Sequence, residues 1–348
     1  MKLNNKEMKK RIFIAVLLIL GIQTQLTAQQ DQHFSMFTES QLYLNPATAG
    51  FTQGDMQLFT NYRLQWSTVS DNPYQTISAS ADWRMFDRGG NYMGAGLTFY
   101  NDVAGVAKYT TNVIALPFNY TLKVDRNNSI AFGLQPAFYQ RLIKNQDLNW
   151  FNQWTGVSYD QGVDSGELLL SQNFNVSRFD VAAGFYWDGY LSKTAKLRLG
   201  VAGHHLTKQR INFTQDDDRL YRKLTLHGQG EFLMEQSGIT ILPAFSAFLQ
   251  GPNKEINVGS NFRFLLKSGS RATSYFEEIT FSTGAYFRWG DAIIVNAILD
   301  LSGFSFGAAY DLNISGLNAA TKGVGSMEFF LRYRFEFGSR NLRNNRVH

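Results

Sequence analysis

The amino-acid sequence predicts an all-β fold: a transmembrane antiparallel outer-membrane β-barrel of about 14 strands, preceded by an N-terminal lead or plug segment. After residue 50, apolar and polar residues alternate with a period of two over most of the chain, which is the pattern of β-strands. Many alternating runs reach about ten residues or more, whereas strands of soluble proteins average about 5–6. In most runs one face is large and aromatic and the other is small or charged, as in a wall between lipid and a polar lumen.

The composition excludes several classes of protein. Hydrophobic residues make up 44% of the 348 residues, so the chain can bury a large core and is not a disordered protein. The 30 glycines and 6 prolines exclude a collagen-like or proline-rich chain. The chain has no cysteine, which excludes disulfides, zinc–thiolate sites, iron–sulfur clusters and a cysteine nucleophile.

Residues 1–28 predict a cleaved export signal. Basic residues up to Arg11 precede an apolar run of 11 residues from Ile12 to Ile22. A membrane-spanning helix needs about 20 residues, so this run fits a signal peptide with cleavage after Ala28, and a buried N-terminal helix is the alternative.

The net charge of +5 comes mostly from this signal. Residues 1–28 hold five of the 33 basic and one of the 28 acidic residues, which leaves 28 basic against 27 acidic residues in the predicted mature chain. The pI of about 9.2 therefore does not indicate a nucleic-acid partner, and none is expected.

Residues 29–54 are predicted to form a periplasmic or lumenal lead segment, because they do not alternate cleanly. The segment contains the dipeptide Asn45-Pro46. A proline fixes its own φ, lacks an N–H donor and pushes the preceding residue out of the helical region. The dipeptide predicts either a plug or docking element or an ordinary turn into the first strand.

Residues 55–338 are predicted to form the barrel, and residues 339–348 a short polar tail. In the last strand, for example, Phe329 and Leu331 share the outward face while Arg332 faces inward. The predicted strands begin near residues 55, 74, 92, 107, 129, 178, 195, 219, 239, 254, 276, 291, 304 and 326.

An even number of strands places both ends of the barrel on the periplasmic side. The turns predicted on that side are residues 87–91, 125–128, 236–238 and 302–303. The longer connections predicted on the outside are residues 145–177, 207–218 and 314–325.

Arg63 and Asp82 fall on adjacent predicted strands, and general polarity of the lumen is the favoured explanation for both residues. A lumenal ion pair between them that holds the lead segment is the alternative. Other charged residues available to such a network are Arg84, Arg141, Arg198, Glu231, Arg263, Arg288, Arg332, Arg334 and Glu336.

No catalytic, metal-binding or cofactor-binding residue is predicted, and the protein is not expected to be an enzyme. His204 and His205 are adjacent, and on a strand their side chains point to opposite faces, so both cannot bind one metal ion. His227 lies on the next predicted strand. No serine near these histidines stands out by motif, so an outer-membrane hydrolase is the remote alternative.

Two acidic clusters fall in predicted outer connections. One is Asp216–Asp218, and the other consists of Asp160, Asp164 and Glu167. Neither has EF-hand spacing, so both are interpreted as solvated loop charge, with calcium binding as the alternative.

The connection 145–177 carries aromatic side chains that a solvated loop does not need, namely Trp150, Phe151, Trp154 and Tyr159. Clustered aromatic side chains in a loop either anchor a protein partner or fold back over the barrel mouth. We interpret Trp150 and Trp154 as a partner-contact or gating surface.

Four motifs near the start of the mature chain resemble the PorP/SprF family of the type IX secretion system in Bacteroidetes. They are DQHFS at 31–35, LYLNPATAG at 42–50, YRLQW at 62–66 and SASAD at 78–82. The run from Ala309 to Leu317, followed by Glu328 and residues 333–335, is similar to the end of the family. Gln32 and Thr48 depart from the family pattern, which has a proline and a tyrosine at these positions.

The resemblance implies an outer-membrane barrel in contact with lipid, exported by a cleaved signal peptide. Its expected partners are other type IX secretion components, or a secreted adhesin or cargo with a C-terminal sorting domain, and a link to gliding motility is implied. A porin-like or FadL-like channel for small solutes is the alternative function. The residues expected to bind a partner or to form the plug are Phe34, Asn45, Pro46, Arg63, Trp66, Asp82, Trp150 and Trp154.

Overall fold

The computed structural model describes residues 31–52, 54–67, 71–143, 148–160, 162–166, 175–210, 219–268, 278–316 and 318–337. The predicted signal peptide and polar tail lie outside the described residues. The chain divides into two compact units, residues 1–31 and 32–348, and the fold described below belongs to the second.

The described residues form fifteen β-strand segments, which are long because the alternating runs are long. They are β1 (Met56–Gln65), β2 (Tyr74–Arg88), β3 (Asn91–Ala104), β4 (Tyr109–Ala115), β5 (Phe118–Lys123), β6 (Asn128–Leu142), β7 (Asn175–Tyr190), β8 (Ala195–His204), β9 (Lys223–Met234), β10 (Ile239–Gln250), β11 (Asn253–Lys267), β12 (Ile279–Arg288), β13 (Ala292–Leu301), β14 (Phe304–Asn313) and β15 (Val324–Phe335).

Each strand segment pairs antiparallel with its neighbours, and β1 pairs with β15, so the sheet closes into a barrel. Both β4 and β5 lie between β3 and β6, so these two segments share one position of the wall. The break falls at Leu116-Pro117, because Pro117 has no N–H to donate to the ladder. Fifteen described segments therefore occupy 14 positions, which confirms the predicted barrel of about 14 strands.

The connections differ between the two ends of the barrel. One end, here called the turn end, carries the turns at 89–90, 124–127, 191–194, 235–238 and 302–303, the connection 268–278, and both ends of the barrel chain. The other end, here called the loop end, carries the connections 143–174, 205–222 and 314–323, together with shorter ones. All predicted turns fall at the turn end and all predicted long connections at the loop end, so by the rule for such barrels the turn end faces the periplasm.

The turn 124–127 shows how short polar residues end a strand pair. Asp125 Oδ1 accepts from the backbone N–H groups of Asn127 (2.7 Å) and Asn128 (2.8 Å). These hydrogen bonds stabilise the ionised carboxylate and hold the pKa of Asp125 below its usual range.

The outward face of the wall is apolar as predicted, but the inward face is not uniformly small or charged. Phe59, Ile294 and Phe330 point inward and are buried, where the alternation pattern had indicated only small or charged side chains. They pack with Met36 and Phe37 of the lead segment into one apolar cluster. The interior can hold these large side chains because the lead segment fills it and excludes water there.

Among the described residues, helical structure is confined to short pieces. They are α1 (Gln41–Leu44), α2 (Asn318–Thr321) and single 3-10 turns at Pro46–Thr48 and Phe151–Gln153. Within the described ranges, no helix has the length and apolar character needed to cross a membrane.

Candidate functional site in the barrel interior

The lead segment runs through the interior of the barrel from its loop-end half to its turn end. Near its start, Gln32 hydrogen bonds to Asp102 of β3, and near its end the N–H of Gly50 donates to Asp82 of β2 (3.0 Å). Between these points the segment contacts strands on every side of the wall, including β6, β7, β9, β12, β14 and β15. The described part of the segment therefore occupies the lumen as an internal plug.

Glu328 on β15 holds the plug at the loop-end half. Its carboxylate accepts from the backbone N–H groups of Ser35 (2.5 Å) and Met36 (3.0 Å) and from Nδ2 of Asn61 (2.8 Å). The side chain is completely buried. A carboxylate in this position is tolerated because its oxygens are occupied by donors.

Asp311 on β14 forms the second half of this attachment. It accepts from the hydroxyls of Ser35 (2.8 Å) and Ser326 (2.7 Å) and from the guanidiniums of Arg288 (2.9 Å) and Arg63 (3.3 Å). Arg63 also donates to the carbonyl of His33 (2.7 Å). We call Arg63, Arg288, Asp311 and Glu328 the anchor cluster.

The anchor cluster alternates positive and negative charge around Ser35, and all four side chains are nearly inaccessible to solvent. Buried ions in such an arrangement stabilise one geometry, because removing any one leaves another charge without its partner. Of the four residues, Arg63 and Arg288 were named from the sequence. Asp311 and Glu328 lie in the C-terminal run that resembles the family, but nothing in the strand pattern distinguishes them from ordinary lumenal acids.

The Asn45-Pro46 turn forms the middle of the plug. Asn45 has an extended backbone (φ −159°, ψ 119°), as predicted for a residue before proline. Its side chain accepts from the N–H of Ala47 (2.9 Å) and donates to the carbonyl of Phe185 (2.8 Å), and its Nδ2 lies 3.2 Å from Nε2 of His227. The fully buried amide thus connects the turn to strands β7 and β9.

Two inward-facing glycines make room for this turn. A Cβ at Gly184 would lie 1.9 Å from Oδ1 of Asn45, and a Cβ at Gly133 would lie 2.3 Å from the backbone nitrogen of Ala47. Gly133 and Gly184 are paired across β6 and β7. The absence of side chains at these two positions therefore lets the Asn45-Pro46 turn approach the wall closely. Any side chain there would displace the turn.

Replacing Asn45 by Ala is expected to lower the free energy of unfolding by about 1–3 kcal/mol, because buried backbone groups lose their hydrogen-bond partner. The midpoint of heat unfolding in detergent, followed by the shift between folded and unfolded bands on gels, measures this loss. Asn127→Ala, which removes the same side chain from an exposed turn, is the control and is expected to change the midpoint little. Equal midpoints for both variants would contradict the role of Asn45.

Arg63 and Asp82 do not meet. In the β1–β2 ladder Arg63 lies opposite Thr76 and Asp82 opposite Gln57, six residue pairs apart. That spacing is about 20 Å along the strands. Each residue instead holds the plug separately, Arg63 at His33 and Asp82 at Gly50.

The plug is also held by arginines nearer the turn end. Arg84 donates to the carbonyls of Gly50 (3.1 Å) and Thr52 (3.2 Å), and Arg332 forms an ion pair with Glu39 (2.5 Å). Both arginines belong to the network that the sequence indicated.

Phe34 and Trp66 lie at the loop-end half in different surroundings. Phe34 is buried in the plug with its ring edge-on to Tyr43 (5.2 Å between centroids). Trp66 follows β1 with its ring against Tyr74 (4.9 Å between centroids), and its backbone N–H donates to the carbonyl of Gly325 (3.1 Å). Phe34 is thus part of the plug, whereas Trp66 is part of the rim.

The prediction that His204 and His205 point to opposite faces is wrong. The strand ends at His204, and His205 adopts a positive φ (56°), which breaks the alternation and buries both rings 6.5 Å apart. His205 contacts Asp180 (2.6 Å), while Nε2 of His204 donates to the carbonyl of Leu44 (3.2 Å). His227 faces Asn45 of the plug instead.

The outer connection carries a small exposed aromatic surface at the loop end. We call it the aromatic platform, and it consists of Trp150, Phe151, Trp154 and Tyr159. Residues 151–153 form a 3-10 turn, and Trp154 pairs with Tyr159 through a β-bridge, with ring centroids 4.9 Å apart. Phe151 is 88% exposed and Trp154 46%. Trp150 is half-buried at the base of the platform, where its backbone N–H donates to the side-chain oxygen of Gln153 (3.0 Å).

The acidic clusters lie partly outside the described residues, which include Asp160 and Asp164 but neither Glu167 nor Asp216–Asp218. Asp160 and Asp164 accept from the backbone N–H groups of Gly162 and Gly166. In the described part of the chain, no group of three His, Asp or Glu side chains is arranged to hold a metal ion.

Below the plug, the turn end opens into a vestibule that sequence reasoning did not identify. It consists of two adjacent cavities of about 670 and 840 Å³, whose walls share Glu39, Glu231, Arg263, Arg332 and Arg334. Basic residues lining the smaller cavity are Arg84, Lys123, Arg126, Lys193, Lys196, Arg198, Arg263, Arg332 and Arg334, against the acids Glu39, Asp188 and Glu231. Lys123 at the end of β5 and Lys193 in the turn 191–194 look in the sequence like ordinary solvated charges.

Comparison with solved structures finds barrels of low similarity. The toluene transporter TodX of P. putida is 10% identical with a TM-score of 0.47, over 86% of this chain and 94% of that chain. A Pseudomonas aeruginosa FadL homologue is 10% identical with a TM-score of 0.46, over the same two shares. BamA from Haemophilus ducreyi lacking POTRA domains 1–3 is 10% identical with a TM-score of 0.40, over 81% of this chain and 71% of that chain.

A search of curated proteins finds no match. A family model described as type IX secretion system membrane protein PorP/SprF matches residues 26–333 and thus confirms the resemblance of the terminal motifs. The matched range contains the whole plug, the anchor cluster and the barrel wall up to residue 333 of β15. The chain therefore belongs to the PorP/SprF family and is an outer-membrane component of the type IX secretion system.

Proposed function

We propose that this protein is a non-catalytic, plugged barrel that holds a protein partner of type IX secretion at the outer membrane. The partner is a secreted adhesin or other cargo with a C-terminal sorting domain, or another subunit of the secretion machinery. The observation that carries the proposal is the plug itself, which is held at both ends and in the middle by buried hydrogen bonds to the wall. A scaffold benefits from such rigidity, because a fixed rim presents a fixed docking surface.

The plug argues against the alternative, a porin-like or FadL-like channel. Solute passage past Ser35 requires breaking the anchor cluster, whose charges would be left unpaired in the interior. We expect the purified protein to give no steady conductance in planar bilayers. A large, steady conductance of the unmodified protein would favour the channel.

The proposal of a non-catalytic role is supported by the surroundings of the histidines. Asp180 holds His205 through one carboxylate oxygen and the hydroxyl of Thr207 through the other (2.9 Å). A hydroxyl nucleophile would bond to the imidazole, whereas Thr207 bonds to the acid behind it. This arrangement fits a structural hydrogen-bond network around the end of β8.

Partner capture is the direct test. The tagged protein is isolated from detergent-solubilised outer membranes, and co-purifying proteins are identified by mass spectrometry, with an unrelated tagged barrel as the control. We expect enrichment of secretion subunits or of proteins with a sorting domain. Recovery of neither class in repeated experiments would overturn the proposal.

Replacing Trp150 and Trp154 together by Ala is expected to reduce surface attachment of cargo about fivefold or more, because truncating aromatic anchors typically costs more than about 1 kcal/mol each. Attachment is measured by antibody labelling of intact cells against total cargo. Trp289→Ala is the control, since Trp289 is 74% exposed at the same end of the barrel but outside the platform. Unchanged attachment in the double variant would exclude the platform as the cargo contact.

A further inference from the structure

The smaller cavity of the vestibule has one wall of strongly positive charge. We call its six residues the cationic wall: Arg84, Lys123, Arg126, Lys193, Lys196 and Arg198. They come from the turn-end parts of β2, β5 and β8 and from the turns 124–127 and 191–194. Their convergence in space is a product of barrel closure and is not visible as a charge run in the sequence.

The acids within this wall do not neutralise it. Asp188 is shared between Lys196 (3.1 Å) and Arg198 (3.2 Å), so one carboxylate serves two cations. Glu231 is likewise shared between Arg198 (3.4 Å) and Arg263 (3.2 Å). Ions in a cleft with low-dielectric walls raise the local potential, so this excess attracts anions.

Three members of the wall have no acid of their own. Lys123, Arg126 and Lys193 are exposed at the mouth, and across the ranges that the structure describes no carboxylate lies within ion-pair distance of them. The other three members are occupied: Lys196 and Arg198 by Asp188, and Arg84 by Asp87 (3.7 Å) and the plug carbonyls. The mouth therefore offers donors that a ligand can use without breaking an existing pair.

The opposite side of the vestibule has the reverse charge. The larger cavity is lined by Glu278, Asp300 and Glu336 as well as the shared arginines. A ligand entering from the turn end is therefore drawn toward the cationic wall and repelled from the facing side, which orients it.

We propose that the cationic wall binds an acidic peptide segment of a periplasmic partner protein. The cavity of about 670 Å³ is far larger than a single ion needs and is open to the turn end. Its wall also contains Phe51 and Tyr190, whose rings can contact the aliphatic parts of a peptide. The cations face the lumen and not the lipid, which disfavours an anionic lipid headgroup as the ligand.

This inference rests on the proposed docking function and names the chemistry of one contact on the periplasmic side. It is independent of the aromatic platform, which lies at the opposite end of the barrel.

The test uses the purified full-length mature protein in neutral detergent and a short fluorescent peptide that alternates Glu with Gly. We expect the peptide to bind and a peptide with Gln in place of Glu not to bind. Since exposed ion pairs are screened, binding should weaken steeply between low and physiological salt. Lys123→Glu combined with Lys193→Glu is expected to weaken binding about tenfold or more, because each reversal replaces an attraction by a repulsion.

The matched control is Arg222→Glu combined with Lys254→Glu. These residues are exposed at the loop end, and their replacement changes the net charge by the same amount. Both double variants must show the same unfolding midpoint as the unmodified protein, so that a binding loss reports the site and not the fold. We expect the control to bind the acidic peptide as the unmodified protein does.

Three outcomes would overturn the inference. The acidic peptide does not bind, or both double variants lose binding equally, or the protein binds phosphatidylglycerol in mixed micelles but binds no peptide. The last outcome would assign the wall to lipid. The proposed function fails separately, in the partner capture from membranes. Suppose that the unmodified protein does not bind the acidic peptide, while the Lys123→Glu/Lys193→Glu variant still captures secretion partners from membranes. The docking function then stands, and the acidic-peptide site does not.

Discussion

Replacing Glu328 by Ala is expected to lower the free energy of unfolding by about 3–5 kcal/mol, the typical cost of removing one partner from a buried ionic group. The variant loses the acceptor of the Ser35 and Met36 N–H groups and of Asn61. It also leaves the guanidinium of Arg63, 4.0 Å from this carboxylate, with one acid fewer. Because the plug is attached here, we expect conductance in bilayers to appear together with the loss of stability.

Two measurements check this expectation. The unfolding midpoint in detergent reports stability, and single-channel recording reports whether the lumen opens. Glu336→Ala is the control, since Glu336 is an exposed glutamate just beyond the same strand and should change neither quantity by much. An unchanged midpoint for Glu328→Ala would show that the anchor cluster does not hold the plug.

Replacing Gly184 by Val is expected to expel the Asn45-Pro46 turn from its place on the wall. A Cβ at this position would lie 1.9 Å from Oδ1 of Asn45 and within 3.2 Å of Cδ of Pro46, so the turn must move. Overpacking of this kind costs about 1–3 kcal/mol, and the displaced amide also loses its hydrogen bonds. We expect faster cleavage of the plug by protease added from the turn end, as well as a lower unfolding midpoint.

Gly203→Val provides the matched control on the neighbouring strand. Gly203 lies opposite Ala183, the residue before Gly184, and therefore on the other face of the wall. A Cβ there would meet only the end of the Leu206 side chain, at 3.3 Å. Equal protease sensitivity in the two variants would mean that Gly184 does not determine the position of the turn.

The wall could be predicted from the sequence because alternation is a local property. Phe329 and Arg332 occupy the predicted outward and inward faces, and the break at Pro117 follows from its missing N–H. The extended conformation of Asn45 was equally local, since it depends only on the proline after it.

The contacts of the candidate site could not be predicted in the same way. Arg63 and Asp82 lie on neighbouring strands, but the register of the ladder and not the neighbourhood decides whether they meet. Phe330 faces inward, although large side chains were predicted only on the outward face. It packs against Met36 and Phe37, which lie nearly three hundred residues earlier in the chain, so a local pattern could not indicate this contact. The burial of His205 depends on a single positive φ at a strand end.

The closure of the barrel between its first and last strands has a consequence for the order of assembly. Arg63 of β1 and Glu328 of β15 are directly paired across this seam, and both bind the plug, at His33 and at Ser35. The plug therefore contacts both strands that close the barrel. Its hydrogen bonds to Glu328 join residues that are 293 and 292 positions apart in the sequence. Contacts of such separation carry a large entropy cost of loop closure, and Glu328 takes part both in the closing strand pair and in the attachment of the plug. We therefore expect the pairing of β1 with β15 and the attachment of the lead segment at Ser35 to occur together.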